Sequence, residues 1–101
     1  MPVLMTLRVT ASGQKLEAHV KDNPDVLRTI VARAKEHGLI SHKFWARDDE
    51  ILVVDTWPDR ESFQKFFDST PQIAETMAAA GASGPPEVSF WEALETGDDA
   101  C

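Results

Sequence analysis

The sequence predicts an α+β fold of the ferredoxin-like type, β-α-β-β-α-β, with a four-stranded antiparallel sheet and both helices on one face. Three observations carry that expectation. Four stretches alternate side chains with the period of a strand, and two longer stretches repeat apolar residues at helical spacing. Between the second and third strands lie Asp48 and Asp49, in a connection short and polar enough for an antiparallel hairpin.

The first strand is "VLMTLRVT", residues 3–10, where Val3, Met5, Leu7 and Val9 alternate with Leu4, Thr6, Arg8 and Thr10. "ASGQK" breaks it. Leu16 and Val20 lie four apart and suit a short helical turn that "DNP" ends. Asn23 before Pro24 then reads as an N-cap followed by proline at the first helical position. Leu27, Ile30, Val31 and Ala34 define an amphipathic helix over 24–37, with Gly38 placed to stop it. "LISHKFWA" (39–46) and "EILVVDTW" (50–57) are the hairpin strands. Asp59 can cap the next helix, whose buried face is Phe63, Phe66 and Phe67. "STP" interrupts that helix, Thr70 and Pro71 restart it, and Ile73, Ala74, Met77 and Ala80 continue an apolar face. "GASGPP" reads as a loop and "EVSFWEAL" (87–94) as the last strand. A single domain over 1–95 is expected, with 96–101 as a polar C-terminal tail.

Two right-handed crossovers place both helices on the same side of the sheet. The other side should then be polar, yet the strands are apolar on both faces. Leu4, Leu52 and Val54 lie on one face and Val3, Met5, Ile51 and Val53 on the other, while the last strand splits Val88 and Phe90 from Trp91 and Ala93. A doubly apolar sheet needs a second cover, and another copy of the chain supplies one. A homodimer built sheet to sheet is therefore expected.

Composition bounds the function. The 101 residues are 43% hydrophobic and 27% charged, with a formal charge of −7. That excess of acid repels phosphate backbones and argues against nucleic-acid binding. There is no apolar run of membrane-spanning length and no signal-peptide pattern at the start. The single cysteine, Cys101, excludes a disulfide framework and a cysteine-rich metal site, which makes the cytoplasm the default compartment. Three scattered histidines lack metal-ligand spacing, so no metal is expected. "GASG" precedes Pro85-Pro86 and not a helix, which rules out a phosphate loop there. The chain has no Tyr, which excludes tyrosine-based radical or acid–base chemistry.

The hairpin yields the candidate site. A loop centred on Asp48-Asp49 sets His42 opposite Asp55, Phe44 opposite Val53 and Ile40 opposite Trp57. In the expected sheet order the third strand also borders the first, so Arg8 is placed near Asp55. A carboxylate beside an imidazole orients it and strengthens it as a base, which is how a general base is made. The pair can equally be a cross-strand ion pair within a half-buried sheet. His37 sits in the last turn of a helix, where a cation suits the dipole. Phe63, Phe66 and Phe67 read as core at helical spacing, and Trp45, Trp57 and Trp91 as anchors of a dimer or walls of a cavity. Should the three Phe pack onto Leu52 and Val54, no room for a ligand would remain.

Six elements in this order, with the third strand running into Trp57-x-Asp59-x-Glu61-x-Phe63, resemble the dimeric α/β-barrel superfamily over roughly residues 3–94. The chain looks most like its antibiotic-biosynthesis-monooxygenase-type domains. That resemblance implies a protomer paired face to face and a cavity between sheet and helices. Members of the group include cofactor-free oxygenases acting on quinone-like substrates, heme-degrading enzymes and isomerases. The heme-degrading branch uses an Asn on the first strand and a Trp and a His on the second helix. Here those positions hold Met5 or Thr6, then Phe66, then Thr76 or Met77, so that activity is disfavoured. Two functions stay open. One is a cofactor-independent monooxygenase or isomerase on a small aromatic or quinone-like metabolite, with His42 and Asp55 catalytic and Arg8, Trp57 and Phe66 contacting the ligand. The other is a non-catalytic dimer that binds a small hydrophobic molecule in the same cavity.

Overall fold

A computed structural model describes residues 2–98; Cys101 lies outside them. The strand β1 runs Val3–Thr10 and is followed by two helices, α1 (Gly13–Asp22) and α2 (Val26–Glu36). The hairpin strands β2 (Ser41–Arg47) and β3 (Glu50–Trp57) come next. Two more helices, α3 (Arg60–Asp68) and α4 (Gln72–Ala79), lead into β4 (Ser83–Glu92). The sheet order is β2-β3-β1-β4 and every pairing is antiparallel. This is the expected ferredoxin-like arrangement, with each crossover divided into two helices.

The local chemistry explains the divisions. Ser12 accepts a hydrogen bond from the Lys15 backbone N–H at 3.2 Å and so starts a full ten-residue helix, where a short turn was expected. Asn23 closes that helix instead of opening the next one. Its backbone N–H and its side-chain amide both donate to the His19 carbonyl. As a result α2 begins at Val26 behind Asp25, which makes no side-chain capping bond. Gly38, at φ 102°, ends α2 in the left-handed region. A Cβ there would lie 3.0 Å from the Pro58 ring, so Gly38 also lets the turn pass close to the end of β3. Asp59 caps α3 by accepting from the Ser62 N–H at 2.8 Å. The break between α3 and α4 is held by Thr70, which donates to the Phe66 carbonyl and accepts from Arg33 Nε.

The last strand differs from expectation at both ends. It begins at Ser83, inside the segment read as a loop, and stops before Ala93. As an edge strand, β4 tolerates Pro85 and Pro86, and its register against β1 shifts between Arg8 and Thr10 where they fall.

Met5, Leu7, Val9, Ile51, Val53 and Trp57 are buried on the helix side of the sheet. Leu16, Ala34, Phe63, Phe66 and Ala80 meet them from the helices. Ala74, expected in the core, is exposed. Burying a Phe side chain contributes roughly 1.5–3 kcal/mol, so Phe63 and Phe66, at 3% and 4% exposure, anchor α3. They stack around Trp57 with ring centroids 5.7 and 5.4 Å away. Leu52 and Val54 face the other way, so the Phe cluster packs on Val53 and Trp57 and not on Leu52 and Val54. The outward face carries Leu4, Trp45, Leu52, Val54 and Trp91, and both tryptophans are 57% exposed.

Candidate functional site

The hairpin determines the site. Asp48 adopts φ 45°, a left-handed conformation that Asp tolerates, and closes the two-residue turn. From that turn the register pairs His42 with Asp55, as expected. Both side chains point to the helix side of the sheet, and His42 Nδ1 lies 2.7 Å from Asp55 Oδ1. Trp57 follows Asp55 by two residues on the same face, and its indole Nε1–H donates to Asp55 Oδ2 at 3.2 Å. Asp55 is only 5% exposed, and each of its oxygens has a partner. A carboxylate only accepts, so Nδ1 of His42 must be the donor. In the neutral ring this leaves the Nε2 lone pair free, the orientation needed for a base.

A cavity of about 90 Å³ lies between the sheet and the helices. Its floor is Met5, Leu7, Ile51 and Val53, and its roof includes Ile30, Phe66, Phe67 and Met77. His42, Asp55 and Thr76 are its polar lining residues. The Thr76 hydroxyl is already committed to the Gln72 carbonyl at 2.8 Å. A second hollow, an open groove of about 570 Å³, runs between α2 and β2. Leu27, Val31, His42 and Phe44 line both spaces, so His42 stands at the passage from groove to cavity. Phe44 holds its ring edge-on to the imidazole, with centroids 4.8 Å apart.

The other expected site residues divide. Phe66 lines the cavity. Trp57 does not; it is fully buried behind Asp55 and orients the carboxylate. Arg8 is a correction. Met5, not Arg8, pairs with Asp55, and Arg8 pairs with Leu52 on the outward face. There it binds Glu50 and Glu87, which keep its guanidinium above the ordinary range, Glu87 most strongly. In turn Arg8, and after it Arg47, holds the Glu50 carboxyl below the usual carboxylate range. A carboxylate-bound arginine across the sheet from the cavity has no access to a ligand at His42. His37 caps α2 and His19 contacts Asn23, each away from the pair. Among the described residues no three His, Cys, Asp or Glu side chains gather as a metal site, and no helix is long and apolar enough to cross a membrane.

The sequence reading missed two features. The indole–carboxylate bond was legible, because Asp55 and Trp57 share a strand face. The groove was not, because it depends on how far α2 stands from β2.

No protein-family profile and no curated protein matches the chain in sequence. Solved structures do match in shape. SnoaB of Streptomyces nogalater, a cofactor-independent oxygenase, aligns with a TM-score of 0.62 at 17% identity, over 97% of this chain and 98% of that one. A protein described as an antibiotic biosynthesis monooxygenase aligns at 0.63 and 9% identity, over 92% and 99%. A dimeric ferredoxin-like protein from an uncultured marine organism aligns at 0.61 and 19% identity, over 93% and 89%. At such identities the likeness speaks for architecture, and this chain has the ferredoxin-like fold of the antibiotic-biosynthesis-monooxygenase-like proteins.

Proposed function

We propose that the chain is a small cofactor-independent enzyme that removes a proton from an aromatic or quinol-like ligand. His42 acts as the base and Asp55 as the residue that orients it. The observation that carries this reading is the 2.7 Å His42–Asp55 bond at the neck of an apolar cavity, with the second carboxylate oxygen tied to Trp57. Interior packing does not need this arrangement, since burying a carboxylate costs free energy even when it is hydrogen-bonded. The resemblance to a cofactor-independent oxygenase supports the same class of chemistry.

Nε2 takes a proton from an acidic ring C–H or O–H and leaves a delocalised anion in an apolar surround. Two outcomes follow from that anion. If the imidazolium returns the proton to another atom, the ligand is isomerised. If the anion gives its electrons to molecular oxygen, a ring CH2 becomes C=O. One oxygen atom is then retained, and the other leaves as water with the two hydrogens removed. The substrate is the reductant and O2 the oxidant, so the balance needs no further electron source. Phe66 forms part of the apolar wall against which the ring lies.

A non-catalytic binding role for the same cavity and groove is the second reading. About 90 Å³ is well below the roughly 300–1,000 Å³ of typical ligand pockets. A ring must therefore use the groove as well as the cavity. The outward sheet face, with Leu4, Leu52, Val54, Trp45 and Trp91, is assigned to a second copy of the chain, in keeping with the dimeric relative. The deciding experiment is oxygen uptake with a panel of anthrones and naphthoquinols, comparing the wild type with His42→Gln. His42-dependent uptake or isomerisation supports the enzyme reading. Tight binding without turnover of any compound leaves the non-catalytic one.

A further inference from the structure

We infer that the ligand is an acid, an aromatic carboxylate whose ring enters the neck at His42 while its carboxylate is held in the groove by Arg28 and Lys35. This deepens the reading of the same site and rests on His42 marking its entrance.

The groove between α2 and β2 is the observation that carries the inference. Arg28 and Lys35 are two turns apart on α2 and therefore share one face, with Val31 between them. On the facing strand the side chains that meet the groove are His42 and Phe44, while Lys43 between them turns to the outward sheet face. The cations that face the groove thus stand on its α2 wall, and among the described residues no acidic side chain lines it. In a chain of net charge −7 this is the reverse of what an unselected surface would show. Asp25 reaches Arg28 at 3.7 Å, but both side chains are more than 80% exposed, and most of the five guanidinium N–H donors remain available.

The apolar half of the ligand follows from continuity. Leu27, Val31, His42 and Phe44 belong to both hollows, so a molecule in the groove meets the cavity through an apolar neck with one polar group. Its two ends face different chemistry, a flat apolar ring inward and a negative charge outward. A planar carboxylate also matches the guanidinium fork of Arg28 better than a compact spherical anion does. Held at the groove, the acid fixes which ring atom reaches Nε2. The carboxylate is thus a positioning handle as well as a source of affinity.

The test compares 1-hydroxy-2-naphthoate with 1-naphthol by isothermal titration at low and high salt. Binding is mapped in parallel by NMR shifts of His42 and Phe44. The wild type should bind the acid roughly three- to tenfold more tightly than the phenol, the scale of two exposed ion pairs. The difference should shrink as salt rises. The double variant R28Q/K35Q, changed only at exposed positions, should remove most of that ratio. Equal affinities, a ratio that R28Q/K35Q leaves intact, or naphthoate binding that does not shift His42 would each overturn the inference. Failure of the catalytic reading is separable: a His42→Gln protein that turns ligands over normally but keeps the acid preference refutes catalysis by His42 and not the carboxylate site.

Discussion

Replacing Asp55 with Asn tests the orientation of His42 without changing the shape of the site. The indole N–H of Trp57 can only donate, so the Asn oxygen must face it in place of Oδ2. The amide NH2 then faces His42 Nδ1 in place of Oδ1. Two donors cannot bond each other, so Nδ1 must become the acceptor and the ring proton must move to Nε2. The one nitrogen free to act as a base is then blocked. The stability change can be bounded from the same contacts. Hydrogen bonds to charged groups contribute about 1.5–3 kcal/mol and neutral ones about 0.5–1.5. Two such exchanges, at a residue with 5% exposure and with the shape preserved, should cost about 1–3 kcal/mol. At about 4–8 °C per kcal/mol the melting temperature falls by roughly 4–24 °C. Activity should fall further in proportion, by about 10²–10⁴-fold, the usual contribution of a general base. Nitrogen-15 NMR of the imidazole, recorded about two pH units above the ordinary histidine value, reads the outcome. The wild type should carry its proton on Nδ1 and the Asp55→Asn protein on Nε2. The same tautomer in both proteins would refute the orienting role of Asp55.

Three further outcomes are expected. Phe66→Ala removes a side chain that is 4% exposed and touches both Trp57 and the cavity, so stability should drop by about 3–5 kcal/mol in chemical denaturation. The enlarged cavity should recover part of that loss when 1-naphthol is added. Asp59→Ala should lower the melting temperature at neutral pH because it removes the cap of α3. The Ser62 backbone N–H holds the Asp59 carboxyl below its ordinary value, so its contribution is present above about pH 4 and is lost as the pH falls through the depressed value. Wild type and variant should therefore converge in strong acid. Leu52→Glu puts a charge at the centre of the outward sheet face, and sedimentation velocity should show a monomer for the variant and a dimer for the wild type. A monomeric wild type would remove the case for sheet-to-sheet pairing.

What the residues revealed in advance depended on distance along the chain. The His42–Asp55 contact was legible because one tight turn, Asp48-Asp49, propagates its register up both strands. Arg8 was misplaced because no turn joins β1 to β3. Their register is set by packing across the long α1–α2 crossover, and a shift of one residue moves a side chain to the other face. The extra turns of α1 were missed because Leu16 is its one buried residue and its start depends on the Ser12 cap. The early start of β4 was hidden by Pro85 and Pro86, which argue against a strand unless it lies at an edge. The groove, and with it the roles of Arg28 and Lys35, comes from how far α2 stands from β2 beyond the Gly38 turn, a distance that no pattern of residue types records.

Proton abstraction by His42 is most directly measured without oxygen, where the later fate of the anion plays no part. Anthrone and naphthoquinol carboxylates incubated anaerobically in D2O would be followed by proton NMR for loss of the acidic ring hydrogen. The wild type should speed the exchange, and His42→Gln should lose about 10²-fold or more of that acceleration. Exchange that is equally fast in His42→Gln, or no faster with the wild type than without protein, would contradict the assignment of His42 as a general base.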